Sequence, residues 1–276
     1  MKLKHIPYLL GRKPAPQSYG YKQLSFDLPV EGKVEYAQWL HPRSYQRPIL
    51  QEDVDALKSF LRPGDVAIDI GAHAGDFTVL IALAVGPSGG VIAFEPNPYV
   101  FPVLEANASL NAEKTRILPN MFAATPQDGE IEFEYSDSGF CNGGRHEGVS
   151  RLFHGHFFRL TVQGRNVEAL VQAKYAELLP RLRYIKVDAE GYDLTVLRSV
   201  EKLITQYNPY INAEVFKWIN REMRVDLFRF LTGHHYCIHR VASNANYKGE
   251  ILNEGDMMRW KHFDIFCIPT GAEASS

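Results

Sequence analysis

Cysteine is scarce in this chain. Three residues in 276, Cys141, Cys237 and Cys267, stand far apart, odd in number and without the paired spacing of a zinc site or a disulfide framework. That usage fits a reducing, cytoplasmic setting. An excess of charge is missing too: 30 basic against 32 acidic residues leave a formal net charge of −2, so no global field draws the chain toward nucleic acid or an anionic membrane. Long apolar runs are absent. The longest, residues 77–85, is about half of the roughly 20 residues a membrane-spanning helix needs. Residues 1–13 are basic, but their apolar stretch is too short for an export signal and is broken by Pro7. There is no repeat of solenoid period, and the only low-complexity tract is the polar tail 271–276. What these absences leave is a soluble protein with a small-molecule partner.

The hydrophobic content, 45%, suffices for one large core. Residues 1–50, with prolines at 7, 14, 16, 29, 42 and 48, read as an extended arm or lid containing two short, paired strands at 23–30 and 33–40. From residue 51 helix and strand alternate. The pattern predicts helices over 51–60, 75–85, 99–111, 166–179, 193–207 and 219–231, and strands over 66–70, 91–94, 115–118, 130–135, 158–162, 184–187, 210–215, 235–241 and 262–268. This is an α/β pattern: a mostly parallel sheet with helices on both faces and an antiparallel pair at one edge. The domain so defined spans 51–270. It is interrupted by a glycine-rich loop at 136–157 whose aromatics and histidines imply a mobile, shaped segment.

Its most informative stretch is Gly64-Asp-Val-Ala-Ile-Asp-Ile-Gly-Ala-His-Ala-Gly75, followed by Val91-Ile-Ala-Phe-Glu-Pro-Asn-Pro98. An apolar run ending in Asp69, a glycine turn opening a helix, and a second apolar run ending in Glu95 form a strand-turn-helix-strand unit suited to an adenosine group. A dinucleotide turn needs glycine at its first, third and sixth positions so that the backbone can approach a pyrophosphate. Here those positions are Gly71, His73 and Asp76. A side chain at the second crowds the phosphate and a carboxylate at the third repels it. S-adenosylmethionine, which has no phosphate, fits better: its ammonium would favour Asp69, its carboxylate the backbone N–H groups at the start of the helix, and its ribose hydroxyls Glu95.

Asp69-Ile-Gly-Ala-His-Ala-Gly75, Phe94-Glu-Pro-Asn-Pro98, Asn107 with Asn111, and above all Ile185-Lys-Val-Asp-Ala-Glu-Gly-Tyr-Asp193 with Val196-Leu197 resemble the FkbM family of S-adenosylmethionine-dependent methyltransferases. The likeness runs from about residue 65 to 269. His73 stands where that family often has Asn, and the loop 136–157 and the first 50 residues lie outside the shared pattern. The resemblance implies a Rossmann-like class I methyltransferase fold, a seven-stranded sheet whose last strand is antiparallel, and O-methylation of sugar or natural-product hydroxyls. The cofactor contacts expected are Asp69, Gly71, Ala72, His73, Gly75, Phe77, Thr78, Glu95, Pro96, Asn97, Met121, Ala123 and Asp188.

A hydroxyl is a poor nucleophile at neutral pH and needs a base or a metal. Lys186, Asp188 and Glu190 are spaced by two and so project to one side as their strand ends, where the reacting groups gather. Asp188 is expected beside the methyl donor, with Glu190 orienting or deprotonating the hydroxyl. Glu214, at the end of the next strand, is a second candidate base, and His146 in the glycine-rich loop a further candidate to meet the acceptor. The structural reading of the same residues is an ion pair in which Lys186 satisfies Asp188, with Glu190 capping the next helix. A cation on Asp188, Glu190 and Glu214 is conceivable for hard oxygen ligands, but the spacing does not demand it and no metal is expected. His154 and His156 share the loop with His146. Trp39, Phe140, Phe153, Phe157 and Trp218 offer aromatic lining or core. The acceptor, a sugar, polyketide or peptide, stays open, as does exchange of the arm in a homo-oligomer. Two other readings stand beside this one, a nucleotide-dependent oxidoreductase and a non-catalytic cofactor-binding scaffold.

Overall fold

The computed structural model describes Pro7 and residues 11–141, 143–144 and 157–271. The arm forms an antiparallel hairpin, β1 (Tyr21–Leu28) and β2 (Gly32–Trp39), with Tyr21 opposite Trp39 and Leu28 opposite Gly32. Thereafter come α1 (Gln51–Lys58), β3 (Val66–Ile70), α2 (Asp76–Val85), β4 (Gly90–Phe94), α3 (Phe101–Leu110) and β5 (Ile117–Asn120). The middle of the chain contributes β6 (Ala123–Ala124), β7 (Gly129–Tyr135), β8 (Gly143–Gly144), β9 (Phe158–Arg165) and α4 (Val167–Lys174). The last third holds β10 (Leu182–Val187), α5 (Asp193–Ser199), α6 (Glu201–Tyr207), β11 (Tyr210–Val215), α7 (Arg221–Gly233), β12 (Tyr236–Arg240) and β13 (Phe263–Pro269).

Seven strands form the main sheet in the order β12-β13-β11-β10-β3-β4-β5. Every residue of β3, β4 and β11 is buried, which is why these strands read as unbroken apolar runs; a parallel sheet covered on both faces has no polar side to show. One covering layer packs α1, α2 and the hairpin around Val34, Leu57, Leu80 and Phe266. The other packs α4 through α7 around Val171, Leu197, Ile204 and Leu227. Strand β13 runs antiparallel to both β11 and β12, so the antiparallel strand lies one place in from the edge, and the edge is β12. Its pairing with β11 is set by residues about 50 apart in sequence, which local periodicity does not reveal.

The order of the strands reverses at β3, which has β4 on one side and β10 on the other. In open parallel sheets the crevice at the carboxyl ends of such strands is where ligands bind. A second, four-stranded sheet, β6-β9-β7-β8, lies over this crevice. The alternation of β7 places Ile131, Phe133 and Tyr135 on the cavity side, while Glu132 and Glu134 pair with Arg159.

Two helices are shorter than their patterns predict. The helix expected over 193–207 is divided at Val200, whose φ of −118° is not helical. That over 166–179 stops at Lys174, where Tyr175 turns inward to bond Asn120 and Leu178 and Leu179 enter the core; only a short 3-10 turn, Leu179–Arg181, follows.

Two asparagines on α3 and its C-cap attach the hairpin. Asn111 accepts from Glu35 N (2.9 Å) and donates to Glu35 O (2.8 Å). Asn107 accepts from Ala37 N (2.7 Å) and donates to Ala37 O (3.1 Å) and to Ala74 O (2.8 Å) in the β3–α2 turn. Four residues along a helix advance about 6 Å and two along a strand about 6.6 Å, so the two carboxamides imitate a neighbouring strand along β2. Among the described residues no helix is long and apolar enough to cross a membrane.

Candidate active site

The β3–α2 turn is shaped by close approach. Gly71 has φ of 83°, and a Cβ there would stand 2.0 Å from the carbonyl oxygen of Asp188. Gly75, with φ of 93°, is less crowded, a Cβ there standing 3.0 Å from the Leu104 side chain. His73 also adopts a positive φ, 50°, held by its N–H, which donates to Glu95 Oε2 at 2.9 Å. The other oxygen of Glu95 accepts from Asn97 N, also at 2.9 Å. One carboxylate thus bridges the ends of β3 and β4. Burial raises the pKa of Glu95 despite His73 and these two amide bonds.

Between the turn, the end of β10 and the second sheet lies a cavity of about 270 Å³. Of the residues singled out in the sequence, Gly71, Ala72, His73, Phe77, Glu95, Pro96, Asn97, Ala123, Lys186, Asp188 and Glu190 line it. Asp69, Gly75 and Thr78 do not. Met121 points elsewhere, 45% exposed, while its neighbours Phe122 and Ala123 form part of the wall. Glu214 lines an adjoining cleft of about 30 Å³. His146, with Phe153, His154 and His156, lies outside the described residues.

Asp69 is not free to receive an ammonium from the cavity. It is fully buried; Thr78 Oγ1 donates to it at 2.6 Å and Lys186 Nζ stands 3.6 Å away. The cause is register: Asp69 lies directly beside Lys186 in the adjacent parallel strand, so the two side chains share one face of the sheet. Lys186 also stands 3.5 Å from Asp188. Burial opposes its charge, but Asp69 and then Asp188 outweigh burial and raise its pKa. The structural reading of Lys186 is therefore present, with two partners rather than one.

Glu190 reaches the cavity by a route other than strand alternation. Strand β10 ends at Val187, and the chain turns through Glu190 (φ 51°) and Gly191 (φ 98°). Its Cβ packs against Gly144, where an added Cβ would come within 2.9 Å. Glu190 does not cap α5: the N-cap is Tyr192, which makes no side-chain capping bond, and Asp193, the first helical residue, accepts from Gly191 N and, with its other oxygen, from Glu214 N, each at 3.2 Å. Burial, and then the charge of Asp188, push the pKa of Glu190 up to about 7. Burial likewise pushes Asp193 up to about 8, with Asp188 adding to it. Among the described residues no group of three His, Cys, Asp or Glu side chains is placed to hold a metal ion.

Sequence reasoning missed several wall residues, Asp76, Ile131, Phe133, Tyr135 and Cys141 among them. The signal for three of these was available in the alternation of β7, whose inward face became meaningful once its position over the crevice was known.

The FkbM methyltransferase domain model matches residues 69–238. The chain is 29% identical over 144 residues to hexuronic acid methyltransferase AglP of Haloferax volcanii, covering 52% of this chain and 53% of that one. It is 30% identical over 112 residues to protein-L-isoaspartate O-methyltransferase of Triticum aestivum, covering 39% and 45%. The chain spans about half the length of these relatives. Among solved structures, FkbM methyltransferase from Methylobacillus flagellatus aligns with a TM-score of 0.47 at 14% identity, over 75% of this chain and 44% of that one. Aeropyrum pernix fibrillarin in complex with natively bound S-adenosyl-L-methionine aligns with a TM-score of 0.41 at 12% identity, over 92% and 97%. The domain match starts at Asp69, near the end of β3, and ends at Ile238 in β12, taking in both sides of the reversal in strand order and more than half of the residues; the chain belongs to the FkbM methyltransferase domain family.

Proposed function

We propose that the protein is an S-adenosylmethionine-dependent methyltransferase that methylates a hydroxyl of a sugar or natural-product small molecule. The observation that carries this reading is the charge of the cavity wall. Asp76, Glu95, Asp188 and Glu190 face it with Lys186 as the sole lysine or arginine among the described lining residues, and Lys186 is already engaged by Asp69 and Asp188. Such a wall repels a pyrophosphate and favours a sulfonium cation, which argues against a dinucleotide. Apolar Phe122, Ile131 and Phe133 offer a flat-sided recess for a purine, and both oxygens of Glu95, fixed by backbone amides, retain lone pairs for ribose hydroxyls.

When bound, the cofactor supplies a methyl group already activated for in-line displacement. The protein then has to align the acceptor, exclude water and take a proton. Asp188, which lines the cavity just after β10, orients the reacting groups in this reading. Glu190, half-buried and with a pKa of about 7, suits a general base at neutral pH, because its basicity is raised without being fully neutralised. The hexuronic acid methyltransferase among the relatives favours a sugar-like acceptor.

Calorimetric titration with S-adenosylhomocysteine and with NAD tests the cofactor assignment. Saturable binding of the first and none of the second at millimolar concentration is expected; NAD binding as tight as that of S-adenosylhomocysteine overturns it in favour of an oxidoreductase.

A further inference from the structure

We propose that the small cleft beside the main cavity is a subsite for a protonated amino group carried by the acceptor. This rests on the methyltransferase reading above and specifies the acceptor's chemistry. The cleft lies at the carboxyl ends of β10 and β11 and the start of β13, and shares Phe77, Lys186 and Asp188 with the main cavity, so one molecule can occupy both. Its remaining wall includes Asn212, Glu214 and Asp264. At about 30 Å³ it accommodates a single group of the size of water or ammonium.

Two independent observations indicate a cationic occupant. Glu214 is 8% exposed, yet its Oε2 has no hydrogen-bond partner; its Oε1 stands 3.3 Å from His262. An unpartnered buried carboxyl oxygen carries a desolvation cost that an incoming donor removes. Glu214 also stands directly opposite Asp264 in the antiparallel β11–β13 register, and like charges directly opposite each other destabilise a sheet. Among the described residues no lysine or arginine resolves this conflict, and His262 meets only the other oxygen of Glu214: Lys186 is held between Asp69 and Asp188, and Arg47, which stacks on Phe77, pairs with Asp53 at 2.8 Å. Burial, followed by Asp188, Asp193, Glu190 and Asp264, pushes the pKa of Glu214 up to about 11, so the carboxyl keeps its proton until a cation enters the cleft, and then releases it. The carboxylates are not arranged as metal ligands. An ammonium, with three donors and hydrogen bonds of about 2.7–3.2 Å, tolerates a wider shell than the 2.0–2.6 Å of a hard cation.

The test uses protein saturated with S-adenosylhomocysteine and two probes of equal size, 2-aminoethanol and ethylene glycol, at pH 7 with binding followed by ligand-observed NMR. Wild type should bind 2-aminoethanol at least about 10-fold more tightly than ethylene glycol, as a charge-assisted contact requires. Glu214→Gln and Asp264→Asn should each reduce that preference to within about 2-fold while leaving S-adenosylhomocysteine affinity unchanged. Equal binding of the two probes by wild type overturns the proposal, as does a preference that survives both substitutions. So does magnesium that binds stoichiometrically and displaces 2-aminoethanol, which would make the cleft a metal site. Failure to bind S-adenosylhomocysteine is a different result and overturns the cofactor reading instead.

Discussion

On the β3/β4 side of the strand-order reversal, Glu95 receives two backbone amides and Asp69 is held by Thr78 and Lys186. On the β10/β11/β13 side, Asp188, Glu190, Glu214 and Asp264 gather with only Lys186 beside Asp188 and His262 beside Glu214, and burial, followed by their mutual charge, raises the pKa values of Glu190 and Glu214. In the first set every carboxylate has at least one short hydrogen bond before any ligand arrives, although Asp69 Oδ1 keeps only its 3.6 Å contact with Lys186; the second is kept in greater tension. A site that binds a fixed cofactor gains from preorganisation, whereas groups that must take a proton or accept a cationic partner function only if they are left incompletely satisfied.

The comparison breaks most completely where the two sides touch. Gly71→Ala would drive a Cβ into the Asp188 carbonyl and force φ of 83° on a residue with a side chain; the expected outcome is loss of S-adenosylhomocysteine binding and a fall in unfolding free energy of about 3 kcal/mol or more in urea titration. Glu190→Gln confines the damage to the second side. Turnover should fall by about 100-fold or more while S-adenosylhomocysteine affinity stays within a few-fold, and a variant that turns over at the wild-type rate would sink the base assignment. In the wild type, turnover should rise with pH through about 7, the pKa of Glu190, because only the ionised carboxylate can take the proton.

Smaller effects sharpen the contrast. Glu95→Gln leaves one of the two amides at His73 and Asn97 without its acceptor, and S-adenosylhomocysteine affinity should drop about 10-fold, with little change in turnover at saturation. Glu214→Gln should act in the opposite sense on stability. The folded pKa of about 11 lies above the ordinary 4.5, so the fold holds the extra proton and loses stability as pH rises through that window. Variant and wild type should therefore melt together near pH 4 and separate at pH 8, the variant higher by at least about 2–4 °C, or about 1 kcal/mol or more. Coincident melting at both pH values would show that the carboxylates of the second side are not in tension.

The sequence disclosed what is local. The glycine turn, the all-apolar strands, the alternation of β7 and the pairing of β1 with β2 each follow from residues close together in the chain, and the structure has these elements within a few residues of their expected bounds. It concealed what depends on register between distant strands. Asp69 was expected to face a ligand because nothing near it reveals that Lys186, more than a hundred residues later, would be its neighbour. Glu214 opposite Asp264 and the insertion of β13 beside β11 were hidden for the same reason. Glu190 arrived by a positive-φ turn where period-two spacing had suggested a continuing strand.

Asn107 grips β2 with one set of hydrogen bonds and the Ala74 carbonyl of the glycine turn with another. Helix α3 is therefore an axle on which the amino-terminal hairpin and the turn are both mounted through a single carboxamide. A displacement of the turn on ligand entry must be carried into the hairpin or break a bond at Asn107, which makes the arm a mechanical extension of the turn although it lies outside the matched domain.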